Sequence, residues 1–445
     1  MNNTKIGFVS LGCSKNLMDT EVMLAELAKE GYEITPDDTE ADIIILNTCG
    51  FIQDAKTEAI ENILDIAWLK TNAKLKGLIV CGCLVQRYGK DILKQFPEID
   101  AVVSVGSIHD ITDAVKVVER GERYSSLKAP EEAELGGDRI VTTPEHYAYL
   151  KIAEGCDNRC TYCAIPDIRG RFRSRPIEEL VAEAKEMEEI GAKELVLIAQ
   201  DTTRYGQDIY GEYCLDKLIR RITEETSIPW IRILYCYPDK ITDGLLKEFR
   251  ENDRLVKYID MPIQHISDTV LRRMNRHGGS EVIKKSIKAL REACPEITIR
   301  STVIVGFPGE TDAHFEELMS FLKETKINKL GAFEYSREDG TPAASFSGQV
   351  SKAKKAERYK AVMIQQDEIT DGYNAERVGT TETVIIEGYD PVSETYYSRG
   401  AEDAPEIDGK IYIIGSKKDA FTAGQFVKVK ILSTLDYDLV SEAVK

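Results

Sequence analysis

Most of the chain alternates short apolar runs with helical patterns, and this limits what it can fold into. KIGFVSL (5–11), ADIIILN (41–47) and KGLIVCG (76–82) are each followed by an amphipathic stretch. Such strand–helix grammar predicts a parallel sheet covered by helices. From residue 147 it resumes with YAYLKIAEG, KELVLIAQ, WIRILYC, KYIDMP, ITIRSTVIVG and KLGAFEYS, with helices expected from Pro176, Cys214, Thr242 and Asp312. About six such units suit a partial or open α/β (TIM-like) barrel. A further helix is expected over 351–377, leading out of the barrel.

The tail changes character. TETVIIEGYD, ETYYSRG, GKIYIIGS and GQFVKVKILS are β-branched and aromatic runs between Gly and Asp turns, which predict a small all-β barrel. The expected organisation of the 445 residues is an N-terminal α/β sheet domain over 1–126, a polar linker over 127–146, the partial barrel over 147–375 and the small β-barrel over 376–445.

No leader pattern opens the chain and no apolar run reaches bilayer length, so a cytoplasmic protein without membrane contact is expected. In that setting the ten cysteines are thiols or metal ligands rather than disulfides. A formal charge of −18 disfavours non-specific binding to nucleic acid and favours a basic protein partner.

Cys156, Cys160 and Cys163 form C-x3-C-x2-C directly after the first expected barrel strand, on the rim where α/β barrels place their chemistry. Polar Asp157, Asn158 and Arg159 between them argue against a packing role. Zinc would require a fourth local ligand. A [4Fe–4S] cluster held by three thiolates keeps one iron open to substrate or cofactor. Cys13, Cys49 and Cys83 each follow the carboxyl end of an expected parallel strand, where ligands of such sheets bind. They are free either to converge on a second site or to serve as small core residues. Cys81, Cys214, Cys236 and Cys294 read as core.

Other rim candidates are Gln200, Asp201 and Thr202 in AQDTTRYG, Gln264 and His265 in DMPIQH, and Gly306 and Gly309 in VIVGFPGET. Each alone fits a capped or tight turn; together they mark one mouth. No Walker A loop, H-E-x-x-H or G-x-S-x-G element is present.

The C-x3-C-x2-C motif resembles the radical S-adenosylmethionine signature. With a three-cysteine α/β domain before it and a TRAM-like barrel after it, the chain is similar to the methylthiotransferases over essentially its whole length. The resemblance implies two [4Fe–4S] clusters, one on Cys13, Cys49 and Cys83 and the radical cluster on Cys156, Cys160 and Cys163. It also implies S-adenosylmethionine as cofactor, an external electron donor (a reductant protein) and a sulfur source. Gln200, Asp201, Gln264 and Gly306 become contacts to cofactor or substrate. LGCSKNLMDTE differs from the G-C-Q-M-N pattern of the tRNA branch. NTCGFIQDAKTEAI, CAIPDIRGRFRSRP, LIAQDTTRYGQD and YIDMPIQH are similar to the branch acting on an aspartate of small-subunit ribosomal protein S-twelve. Ser14, where that branch has proline, is a departure. The implied activity is methylthiolation of that aspartate at its β-carbon. The alternatives are a tRNA adenosine methylthiotransferase and a non-enzymatic iron–sulfur scaffold or redox sensor. Residues 376–445 hold 13 acidic and 8 basic side chains, a balance of 8 − 13 = −5, which suits a basic protein better than RNA.

Overall fold

The computed structural model describes residues 4–418 and 420–444. Its first unit is a six-stranded parallel sheet in the order β2-β1-β3-β4-β5-β6. The strands are β1 (Lys5–Ser10), β2 (Glu33–Thr35), β3 (Ile43–Thr48), β4 (Gly77–Gly82), β5 (Ala101–Ser104) and β6 (Tyr124–Ser126). Helices α1 (Ser14–Lys29), α2 (Gln53–Asn72), α3 (Cys83–Gln95) and α4 (Ile111–Glu119) cover it. β3 and β4 are buried along their whole length, as strands covered on both faces must be.

The second unit is also six parallel strands, in the sequential order β14-β13-β12-β11-β10-β7, an open arc rather than a closed ring. Its strands are β7 (Tyr147–Lys151), β10 (Glu194–Ile198), β11 (Trp230–Ile233), β12 (Leu255–Asp260), β13 (Thr298–Val305) and β14 (Lys329–Glu334). The two-residue strands β8 (Ala153–Glu154) and β9 (Arg173–Ser174) pair beside it. Helices α5 (Ile165–Arg169), α6 (Ile177–Glu189), α7 (Leu215–Glu225), α8 (Asp243–Glu251), α9 (Asp268–Arg273), α10 (Gly279–Ala293) and α11 (Asp312–Thr325) lie between them. The expected helix starts at Pro176, Cys214 and Thr242 are the capping residues of α6, α7 and α8.

Helix α12 (Lys352–Arg377) packs back on the barrel: Val362 is buried, and Arg358 pairs with Glu310 at 3.1 Å. The tail closes as a five-stranded barrel in the order β15-β16-β17-β19-β18: β15 (Thr381–Asp390), β16 (Thr395–Gly400), β17 (Ile411–Ile414), β18 (Phe426–Leu435) and β19 (Asp438–Ala443).

The joints between units are ionic. Residues 127–146 carry one short turn, Pro130–Glu132, and are pinned by the buried side chain of Arg139, which pairs with Glu21 at 2.6 Å and Glu183 at 2.8 Å. At the base of the large barrel Glu194, fully buried, pairs with Arg232 at 2.5 Å and with Arg399 of the small barrel at 2.6 Å. Removing one partner of such a pair strands charge in a dry interior. Glu194→Ala is expected to cost about 3 kcal/mol in urea unfolding and to loosen the small barrel, seen as earlier proteolysis near residue 378.

These joints also change the meaning of the tail's acidic balance. Asp403 faces Lys329, Asp408 faces Arg300 and Glu406 accepts hydrogen bonds from Tyr147 and Tyr149 across the joint, while Glu382 and Glu387 face the tail's own Arg377 and Arg399. Three of the thirteen acids thus face the large barrel, whereas Lys417, Lys418, Lys428 and Lys430 are exposed. The net count therefore does not describe the outer surface of the small barrel.

Candidate active site

Both cysteine sets lie at carboxyl ends of parallel strands. Cys13 caps α1, Cys49 follows β3, and Cys83 opens α3. Glycines let their loops touch. Gly12 has φ +92°, and a Cβ there would stand 2.8 Å from the Cys49 Cβ. A Cβ on Gly50 would stand 2.7 Å from the backbone of Leu84, beside Cys83. Any larger side chain would push the three cysteines apart. Each of the three has a glycine next to it in sequence, a signal the strand-end argument passed over.

The thiols lie within reach of each other's charge and of Arg169, which donates to Cys83 Sγ at 3.0 Å. At Cys13 the cost of desolvation is outweighed by Lys15, Arg169 and the backbone N–H groups of Asn16 and Lys15, which hold its thiol below the usual range. Burial pushes the Cys83 thiol up to about 12 despite Arg169.

Arg169 sits in α5, just after the C-x3-C-x2-C loop, and is 1% exposed. Its guanidinium also pairs with Asp19 at 2.5 Å and Glu154 at 3.3 Å and donates to Asn16 at 3.2 Å. Lys151 binds the same two carboxylates, at 2.6 and 2.8 Å. Burial alone would raise the Glu154 carboxyl, but Lys151 and Arg169 hold it down at about 2. A charged network thus stitches the first sheet to the barrel beside both cysteine sets. Cys83 shares a small buried cluster with Val105, Ile168 and Ala164, the neighbour of Cys163.

The second loop is held from several sides. Asn275 donates to the carbonyls of Asn158 and Arg159, and Thr161 donates to those of Arg273 and Met274. Polar groups approach each sulfur: Asn158 Nδ2 at 3.6 Å from Cys156, the Ile165 N–H at 3.4 Å from Cys163, and Arg276 and the Tyr237 hydroxyl at 4.0 and 3.9 Å from Cys160. Donors around sulfur suit thiolates that carry a metal cluster. Burial, the main cause, raises the Cys156 thiol to about 11 and the Cys163 thiol further. Among the described residues no three His, Cys, Asp or Glu side chains are placed to hold a single metal ion.

The other rim candidates divide. Gln200 donates to Glu154, and its Oε1 is buried without a partner among the described residues; Gln264 Oε1 is likewise unpaired. Asp201 is wholly buried, accepting from Asn158 at 2.8 Å and Thr203 at 2.9 Å and pairing with Lys240 at 3.1 Å. It braces the cysteine loop. His265 is buried, its ring held neutral at about 3 by desolvation, and its Nδ1 accepts from the Ser267 N–H. At Gly306, φ +73°, the room a Cβ would take is filled by Lys355 of α12. Cys81, Cys214, Cys236 and Cys294 are core residues. Arg169, Glu154, Lys151 and Asp19 were absent from the sequence-derived candidates.

Three family descriptions match the chain: Uncharacterized protein family UPF0004 at residues 5–104, Radical SAM superfamily at 150–322 and TRAM domain at 378–444. It is similar to the ribosomal protein uS12 methylthiotransferase RimO of Clostridium tetani, 47% identical over 99% of this chain and 98% of that protein. Proteins of the same name from Thermoanaerobacter sp. (46%; 98% of this chain, 99% of that protein) and Geobacter sulfurreducens (45%; 99% and 98%) are also similar. Among solved structures it resembles the radical S-adenosylmethionine methyltransferase TsrM of Kitasatospora setae, with TM-score 0.58 at 15% identity over 77% of each chain. That likeness supports the fold. Full-length identity near one half, with all three matched regions in order, shows that the chain belongs to the ribosomal protein uS12 methylthiotransferase family of radical S-adenosylmethionine enzymes.

Proposed function

We propose that the chain adds a methylthio group to the β-carbon of an aspartate in ribosomal protein uS12. Full-length similarity to relatives of that name supports the substrate. The observation that supports the chemistry is Arg169, six residues after Cys163, which donates to Cys83 Sγ at 3.0 Å, with Cys83 sharing a buried cluster with Ala164 and Ile168 of the same segment.

In this reading Cys156, Cys160 and Cys163 would hold one [4Fe–4S] cluster and Cys13, Cys49 and Cys83 a second, with S-adenosylmethionine as the further cofactor. Bound there, these groups would supply one-electron cleavage to a hydrogen-abstracting radical and a sulfur donor with its methyl group. The protein's part is position and dryness. Asp201, Asn158 and Asn275 brace the cysteine loop. Gln200 and Gln264 offer unpaired oxygens to a polar ligand. Closeness of the two trios matters because a carbon radical must meet its sulfur before escaping.

The chain works in this reading as units 1–126, 147–375 and 376–445 joined by 127–146, in the cytoplasm, with a separate reductant protein. No helix among the described residues is long and apolar enough to cross a membrane.

The test is anaerobic incubation of the reconstituted protein with S-adenosylmethionine, sulfide and dithionite, and either uS12 or tRNA. A methylthio mass gain on uS12 is expected. Gain on tRNA alone would overturn the substrate assignment, and failure to cleave S-adenosylmethionine would favour a non-enzymatic scaffold.

A further inference from the structure

Helix α2 carries a surface that its fold does not use. Its inner face, Ala59, Ile63, Ile66 and Ala67, is buried against the sheet. On the outside Ile60, Leu64 and Trp68 are 37%, 53% and 62% exposed. At about 100° per residue these three fall within a stripe about 80° wide. The same rotation sets Glu61, Asp54, Asp65 and Glu58 along one edge of it, all exposed. No described cation pairs with any of these four, while Lys56 and Lys70 on the other side are bound to Glu338 and Asp100.

The helix that carries the stripe begins beside the candidate site, with Ile60 about two turns along it. α2 starts four residues after Cys49, and its first turn is tied to the barrel by Lys56 on Glu338 at 2.8 Å. Arg87 reaches the same carboxylate at 3.0 Å.

We infer that the outer face of α2 docks a lysine- and arginine-rich segment of the substrate protein, leading it toward the cysteine chamber. An aromatic and two aliphatic side chains beside a row of free carboxylates suit long cationic side chains, whose stems cover apolar surface while their heads meet acid or the indole face. Phosphate would be repelled by the same row, which argues against RNA. A second copy would bring acid against acid on a chain of net charge −18.

This inference rests on the reading that the substrate is a basic protein. The test compares the reconstituted full chain with its W68A and E61K/D65K variants, with uS12 as probe, in about 0.1 M salt. All three positions are exposed, so the fold and substrate-free cleavage of S-adenosylmethionine should persist. KM for uS12 should rise about tenfold or more in each variant, with kcat within about twofold and a flatter salt dependence for E61K/D65K. Unchanged KM and salt dependence, with uS12 still modified, would overturn the docking surface alone. If the native chain leaves uS12 unmodified, the substrate reading fails first. Concentration-dependent dimers in sedimentation, lost in W68A, would assign the face to a second copy and also overturn the proposal.

Discussion

Cys156→Ala is expected to end S-adenosylmethionine cleavage while leaving the first cysteine trio able to bind its cluster. A cluster on three thiolates has no spare ligand, and the buried Cys156 is braced through Asn158, so the loop cannot readily recruit another. Iron after anaerobic reconstitution should fall from about eight to about four atoms per chain, with a comparable loss of charge-transfer absorbance. Deoxyadenosine should become undetectable. Cys49→Ala should give the mirror result: about four irons, continued deoxyadenosine release, and no methylthiolated product. Retained turnover in Cys156→Ala would remove the radical assignment. About four irons in the unmodified chain would remove the second cluster.

The architecture was legible where burial leaves a strong pattern. IIILN and GLIV stand out because strands covered on both faces are apolar at every position. The expected helix starts at Pro176, Cys214 and Thr242 fell on the capping positions themselves. Short elements set by pairing were not found: β2 and β6 have three residues each and β5 four. β19 was also missed, because DLVSEA carries two acids. Within the site, the strand-end rule placed all six cysteines, since their location follows from topology. It could not find the charges between them. IRGRFRSR offers Arg169, Arg171, Arg173 and Arg175; Arg171 is exposed and pairs with Asp157, while Arg169 turns inward to Cys83. Nothing local distinguishes the two, because the choice depends on Asp19, distant in sequence. Arg139 was hidden in the same way within a polar stretch. A lone charge in such a stretch looks solvated until its partners are known.

Arg169→Met tests whether that inward arginine matters for more than packing. The substitution keeps most of the volume and removes the ion pairs to Asp19 and Glu154 and the donor to Cys83 Sγ. Lys151 still faces both carboxylates, so the stability cost in urea unfolding should sit at the low end for a broken buried pair, about 3 kcal/mol. The larger effect should be on the reaction: a partner lost next to a metal ligand typically reduces activity about 10- to 100-fold. Methylthiolated product is expected to fall by that factor while S-adenosylmethionine cleavage continues, so the two become uncoupled. Loss of a hydrogen bond to a ligating sulfur should also move the first cluster's potential more negative, measurable by EPR titration in a Cys156→Ala background. Arg169→Lys keeps charge without the planar fork; it should restore most of the stability but little of the coupling, since one ammonium cannot serve Asp19 and Cys83 Sγ in the same geometry. Equal loss of cleavage and product in Arg169→Met, with an unshifted potential, would reduce Arg169 to a structural bolt between the two units.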